Sequence, residues 1–576
     1  MQFLSAALAF SLLAYGATPA AKPKKPQLRS EQKAAQSMLK SMSLHDRVAQ
    51  LVMGVAYGDV PSRKSPEYEK FRHWVQDLRI GGLIVNNRVQ NGLARNAEPH
   101  AFALFLNQMQ KLAKTPLIVG GDFERGAAMR VTAGAKFPQN MAYGAARDLE
   151  ASRYEGLQTA REARALGVQW IFAPVADVNV NPANPVINIR SYGENPEEVA
   201  KHVAAYIEGA HSDPAHRVLV TAKHFPGHGD TGVDSHLGLA RLDASKERMD
   251  AVELKPFQTA IENGADAIMT AHMSVPAIEP DDIPATASPK VLTGLLRNEL
   301  GFKGLIVTDA LDMLGFAKQF NSGEGSVRAI EAGADVLLMP PNPEAAIKAV
   351  MAAVEHGRIS RQRIDDSAMR VLAAKIRVGV IKKKMVDLDE VSDVLEDPDA
   401  DEHVQQVADR AVTLVRGTLP VSAPNQSCVV VMMERRLSQY GQRLASEYRR
   451  RAPGARVTFA DPSLSLAALN DSVGDTATCS AVVVAIFLSG ATLSDDLAAF
   501  VNTLKSPVLV AIGAPYVLSS FPNASVALTT FSTVAPSEIS TVKALFGEIP
   551  ITGHSPVTIP GVAQYGDGIQ LPAAKH

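Results

Sequence analysis

The stretch RVLVTAKHF, residues 217–225, decides the fold. Val218, Leu219, Val220 and Ala222 form an apolar run that does not alternate with charged residues. A strand with one face in water alternates; a strand buried on both faces, as in a parallel sheet flanked by helices, does not. The run ends on Lys223 and His224, and the PGHGDTG that follows cannot continue either a strand or a helix.

Working outward, seven further runs have the same character: AQLVMGV (49–55), GGLIVNN (81–87), PLIVGGD (116–122), VQWIFAPVAD (168–177), ADAIMTAH (265–272), GLIVTDA (304–310) and ADVLLMP (334–340). Amphipathic helical stretches such as HAFALFLNQMQKLA and LKPFQTAIENGA lie between them. Eight such strands alternating with helices predict a (β/α)8 TIM barrel. Polar residues gather at the strand ends: Asp122 on the third, Asp177 on the fourth, Lys223 and His224 on the fifth, His272 on the sixth and Asp309 on the seventh. In a barrel those C-terminal ends form the active-site mouth.

The 576 residues are 46% hydrophobic and 20% charged, an ordinary globular composition. Lys and Arg total 58 against 60 Asp and Glu, so net charge gives no reason to expect nucleic acid as a partner. Residues 1–21, MQFLSAALAFSLLAYGATPAA, read as a cleavable export signal, too short in its apolar run for a membrane span. Residues 22–34 read as a linker, 35–380 as the barrel and 381–402, charged and Asp-rich, as a second linker. Residues 403–576 read as a smaller α/β sandwich domain with a mostly parallel sheet, built on runs such as CVVVMM and AVVVAIFL. This second domain has neither G-x-G-x-x-G nor a P-loop, so no nucleotide cofactor is expected. Cys428 and Cys479 each open an apolar run and read as two buried thiols, with one disulfide as the alternative after export.

The loop after the fifth strand, residues 226–240, carries the chemistry. His224, His228, Asp230, Asp234 and His236 could supply metal ligands, but most of them sit on one Gly-rich loop rather than on several strand ends, which disfavours a catalytic metal. The acid–base reading is simpler. Asp234 stands two residues from His236, and a carboxylate that accepts from one ring nitrogen makes the other a better proton carrier. Such a pair needs a partner that attacks carbon, and Asp309 at a strand end can act as the nucleophile of a retaining glycosidase.

At these residues the sequence resembles glycoside hydrolase family 3, and within it the NagZ-type β-N-acetylglucosaminidases. KHFPGHGDTGVDSH, LIVTDALDM, FAPVADVNVNPANPVINIRSYG, EAGADVLLMP and MSLHDRVAQLVM carry the resemblance, which spans about residues 35 to 380. It implies Asp309 as nucleophile, His236 as general acid/base and Asp234 as its orienting partner. It implies further that Lys223, His224, Asp122, Arg190 and Arg130 bind the sugar. The implied reaction is metal-free, retaining exo-hydrolysis of a terminal β-linked N-acetylglucosamine from peptidoglycan fragments, by an exported enzyme. A β-glucosidase, a phosphorylase on the same fold and a non-catalytic cell-wall binding protein are the alternatives. One departure stands out. Where the family reads D-x-E-G-G-R-V, this chain reads DFERGAAMRV, with Arg125 in place of a glycine and Ala127 in place of an arginine.

Overall fold

The computed structural model describes residues 30–90, 93–435, 438–490 and 493–574. The expected export signal lies outside the described residues. Of the expected 22–34 linker, residues 30–34 open a helix, Ser30–Lys40.

All eight runs form strands: β1 (Val52–Ala56), β2 (Gly82–Val85), β3 (Ile118–Gly121), β4 (Trp170–Ile171), β5 (Leu219–Phe225), β6 (Ala267–Thr270), β7 (Leu305–Val307) and β8 (Leu337–Leu338). They pair in parallel in the order β7-β6-β5-β4-β3-β2-β1-β8, and a parallel bridge between Val307 and Val336 joins the two ends into a barrel. Every residue of β5 is buried, as its unbroken run requires. Several helices around the barrel start on side-chain caps. Asn195 accepts from the backbone N–H groups of Glu197 and Glu198, and Asp148 from that of Ala151. The helices Leu149–Leu166 and Pro196–His211 meet at backbone distance. A Cβ on Gly156 would lie 2.2 Å from the Tyr206 carbonyl oxygen, and one on Gly209 1.8 Å from that of Arg153.

The second domain holds β9 (Thr413–Arg416), β10 (Cys428–Met432), β11 (Arg456–Ala460), β12 (Val482–Leu488), β13 (Val508–Gly513) and β14 (Val526–Thr529), in the order β9-β14-β13-β12-β10-β11. Only the β9–β14 pairing is antiparallel. Its strands feed two cores by period-two alternation: Val430, Met432, Val484 and Ile486 enter one, Val429, Val431, Val483 and Ala485 the other. The first of these cores also contains Met141, Ala142, Ala145 and Ile189 of the barrel domain, so the two domains share apolar packing.

Two sequence expectations change. The stretch 381–402 contains the helix Glu390–Leu395 and the start of the helix Pro398–Ala411. Its charges hide an apolar stripe, Ala400, Val404, Val407 and Ala411, that follows helical spacing and is buried. Cys428 and Cys479 are not two buried thiols but a disulfide, with Cα atoms 5.7 Å apart. Cys479 precedes rather than begins its strand, and the pairing of β10 beside β12 brings the two together.

Candidate active site

A cavity of about 660 Å³ opens where β3, β5 and β7 end, and all eight residues singled out from the sequence line it. Two of the polar strand ends do not. Asp177 is fully buried, where its carboxylate accepts from the His224 ring at 2.7 Å and from the His228 backbone N–H at 2.6 Å. His272 is also buried; its Nε2 donates to the Ala310 carbonyl at 2.9 Å, bracing the chain beside Asp309.

Lys223 and His224 are neighbours on β5, and in a regular strand neighbours face opposite ways. Both line the cavity because the β5–β6 register slips between Ala222 and Phe225. A bulge at this point re-aims a side chain, a common arrangement beside active sites. The Lys223 ammonium is 2% exposed and lies 2.8 Å from Asp122 and 2.7 Å from Glu124. Burial pulls the Lys223 pKa down, but those two carboxylates outweigh it and the net shift is upward. Burial pushes Asp122 up, and Lys223 and Arg130 more than reverse it. Glu124 is likewise raised by burial, yet Arg190 and Lys223 hold it well below the usual carboxylate range.

Arg190 donates to both Glu124 oxygens, at 2.9 and 2.7 Å, and lies 3.2 Å from His224 Nε2. A guanidinium can only donate, so Nε2 accepts and the His224 proton sits on Nδ1, facing Asp177. Arg130 donates to Asp122 at 3.1 Å and to the Asn87 side chain. The result is a cage of alternating charge with its polar atoms fixed before any ligand arrives.

The loop after β5 is not one mobile piece. Residues 226–229 are buried, pinned by the His228–Asp177 bond and by Asn184 donating to the His228 carbonyl at 2.8 Å. A Cβ on Gly229 would lie 1.8 Å from the Val178 carbonyl oxygen, so this half is packed against backbone. His228 is a structural residue, its pKa lowered to about 4 by burial. The loop is partly exposed at Asp230, buried again at Thr231, and open to solvent beyond it. There Asp234 Oδ1 accepts from both the backbone N–H and the ring Nδ1 of His236, at 2.8 and 2.7 Å. Burial raises the Asp234 pKa, and these two bonds to His236 outweigh it to give a net lowering. With Nδ1 held, His236 Nε2 is left to work, on a side chain 58% exposed. Asp309 lies across the same cavity, its Oδ1 fixed by the Ala310 N–H at 2.8 Å.

Sequence reasoning did not assign Glu124 to the site, although it stands two residues past Asp122, just after a strand that ends at the mouth. It also missed Glu434, Arg435, Tyr440 and Ser489, which the second domain adds to the cavity wall. No local pattern marks these four; they arrive through packing over some 300 residues of chain separation.

Residues 43–374 match the glycosyl hydrolase family 3 N terminal domain. The chain is 29% identical over 405 residues to a β-N-acetylglucosaminidase/β-glucosidase of Cellulomonas fimi, covering 68% of each chain. It is 32% identical over 389 residues to β-hexosaminidase A of Pseudoalteromonas piscicida, covering 62% of this chain and 63% of the relative. Among solved structures, a glycoside hydrolase family 3 β-N-acetylglucosaminidase from Paenibacillus sp. str. FPU-7 superposes with a TM-score of 0.80 at 32% identity, covering 91% of this chain and 100% of that one.

Proposed function

Since the chain belongs to glycosyl hydrolase family 3, we propose that this glycoside hydrolase is a retaining exo-β-N-acetylglucosaminidase that works through the Asp309 carboxylate and the His236–Asp234 pair. The observation that carries the reading is that one cavity receives both an anchored carboxylate and an imidazole steadied by its neighbouring acid. The activities by which the Cellulomonas, Pseudoalteromonas and Paenibacillus relatives are named agree with it.

In the first step an Asp309 oxygen attacks the anomeric carbon. The glycosidic bond breaks, and its oxygen takes the proton from His236 Nε2. Asp234 stabilises the imidazolium before transfer and holds the ring afterwards. In the second step His236 Nε2 removes a proton from water, which attacks the same carbon and frees Asp309. Two displacements retain the β configuration. Lys223, Asp122, His224, Arg190 and Arg130 bind the hydroxyls of the terminal sugar, fixed in advance by their mutual hydrogen bonds. The substrate we propose is peptidoglycan fragments met after export, and the Cys428–Cys479 disulfide suits an oxidising compartment.

The test is a comparison of aryl β-N-acetylglucosaminide with aryl β-glucoside, with mass detection of the trapped glycosyl-enzyme. We expect the N-acetylglucosaminide to be favoured and the label to fall on Asp309. Label on another residue, or an Asp309→Asn variant with near-normal turnover, would overturn the mechanism.

A further inference from the structure

The loop that carries Arg130 is clasped from behind by a carboxylate that the two-step reaction does not use. The two legs of this loop close on each other: a Cβ on Gly126 would lie 3.2 Å from the Ala135 carbonyl oxygen. Glu162, on the helix Leu149–Leu166, reaches into the neck between them. One of its oxygens accepts from the Ala127 N–H at 3.2 Å and the other from the Ala135 N–H at 2.9 Å. Gly134 leaves room for the carboxylate. A Cβ there would lie 3.1 Å from a Glu162 oxygen, and the φ of +95° suits glycine. Glu162 is fully buried, and among the described residues no cation pairs with it. An acid so placed is costly to hold in its charged form. Burial pushes its pKa up to about 7, against the two N–H bonds that pull it down. What the carboxylate supplies in return is a pair of oxygens that both accept, which no neutral side chain offers.

The clasp is felt at Arg130. The Arg130 N–H donates to the carbonyl of Ala127, the residue that Glu162 holds, at 2.8 Å. The Arg130 carbonyl accepts from the Ala97 N–H at 2.8 Å. With both sides of its backbone fixed, the Arg130 side chain reaches Asp122 at 3.1 Å and the Asn87 side chain. Glu162 itself does not line the cavity. It connects to the sugar cage through Ala127, Arg130 and Asp122, with a hydrogen bond at each step.

We infer that Glu162 is a positioning residue, which fixes the loop 126–135 so that Arg130 and Asp122 meet the terminal sugar in a set geometry. The inference rests on the proposed function and adds to it a group that touches no substrate. An amide at this position offers one accepting oxygen and turns a donor toward the other N–H, so one leg of the loop is released. Arg130 then loses its fixed approach to the sugar, and a small displacement of a binding group is expensive in rate.

The experiment uses the full chain, an aryl β-N-acetylglucosaminide, and the variants Glu162→Gln, Arg130→Ala and the two combined. We expect Glu162→Gln to lower kcat/KM by about tenfold, chiefly through KM. In the Arg130→Ala background the same change should cost little more, because the group it positions is already gone. Equal losses in both backgrounds would overturn the inference, as would an unchanged kcat/KM in Glu162→Gln. Should Glu162→Gln fail to fold, the wild type and Arg130→Ala alone decide, through inhibition by N-acetylglucosamine at about pH 6 and pH 8. The wild type should bind the sugar about threefold more tightly at the higher pH, where Glu162 is ionised and accepts from both N–H groups. That gain should shrink in Arg130→Ala, and an equal gain in both would overturn the inference. The other titratable side chains facing Glu162 are Asp397, just before the helix Pro398–Ala411, Tyr206 of the helix Pro196–His211, and Tyr154 of its own helix. Asp397 adds to the upward push on Glu162, and burial drives both tyrosines above their ordinary value, away from this range. A wild-type chain that does not cleave the aryl glycoside would instead overturn the underlying function.

Discussion

His236 and Lys375 show how a single side chain's surroundings set its chemistry. The His236 side chain is more than half exposed and, among the described residues, its ring is tethered through Nδ1, which leaves Nε2 able to approach a leaving group and withdraw. Removing it should slow natural disaccharides by about 10²–10⁴-fold, the usual worth of a positioned general acid. Activated aryl glycosides, whose leaving groups need no proton, should lose much less in their first step. Equal losses of His236→Ala on both substrate types would speak against the acid role. Lys375, in contrast, is fully buried and donates to Gln50 Oε1 at 2.6 Å, with no carboxylate paired to it among the described residues, and burial lowers its pKa from 10.5 to about 7. Between those values the unfolded chain binds a proton that the folded one does not, so this group makes stability rise with pH across about pH 7 to 10.5. Below pH 7 the burial penalty is fully present. Lys375→Met should therefore stabilise the fold, and the gain should shrink by up to ~3 kcal/mol between about pH 6.5 and 9.5. Urea unfolding at the two pH values measures this directly; a pH-independent difference would refute it.

The segment entering β8 shows what holds an element in place. Asp335 is fully buried and accepts from Arg297, from Arg370 at 2.9 Å, from the Ile306 N–H at 3.0 Å and from Arg363 at 3.4 Å. It thereby ties β8 to β7 and to the helix Arg361–Arg377, close to where the barrel closes. Burial alone would raise its pKa; the three arginines outweigh that and lower it below 3.8. A depressed carboxylate contributes stability above its unfolded value and loses it as pH falls below. Asp335→Asn should cost ~3–5 kcal/mol near neutrality, because it leaves buried guanidinium groups without a counter-charge. The gap to wild type should narrow below about pH 4, which urea midpoints at neutral and acid pH would reveal. The loop after β5 divides on the same principle. Its buried half serves Asp177, and its outer half touches the following barrel segment through the Gly315 N–H on the Ser235 carbonyl at 3.1 Å and Lys318 on the Leu237 carbonyl at 3.1 Å.

At the scale of the whole molecule, the second domain is part of the site's architecture. Barrel side chains Met141, Ala142, Ala145 and Ile189 sit in a core whose other members are second-domain residues such as Val430 and Leu509. Polar ties reinforce it: Asn179 donates to the Tyr516 hydroxyl at 2.8 Å, and Glu194 accepts from the Thr558 N–H and hydroxyl at 2.7 Å each. A chain ending at residue 380 would leave those apolar groups in water. We expect it to be recovered mostly as aggregate and inactive, judged by gel filtration and hydrolysis of an aryl glycoside. A soluble truncated barrel with full activity on disaccharides would contradict both the shared core and the two-domain cavity.

The barrel's eight strands were legible because burial on both faces forces continuous apolar runs. The charged ends of those runs marked the mouth because a buried strand can tolerate such residues only where it opens. The spacing of Asp234 and His236 was equally local, since two residues in a turn suffice to let a carboxylate meet its neighbour's ring. Sequence alone did not separate the strand ends that reach the cavity from Asp177 and His272, which turn inward. That depends on a register slip in β5 and on which partners lie across it. It also did not reveal the Cys428–Cys479 pairing or the outer wall of the site. Both depend on neighbours far apart in the chain, and that proximity exists only once the two sheets have formed and packed.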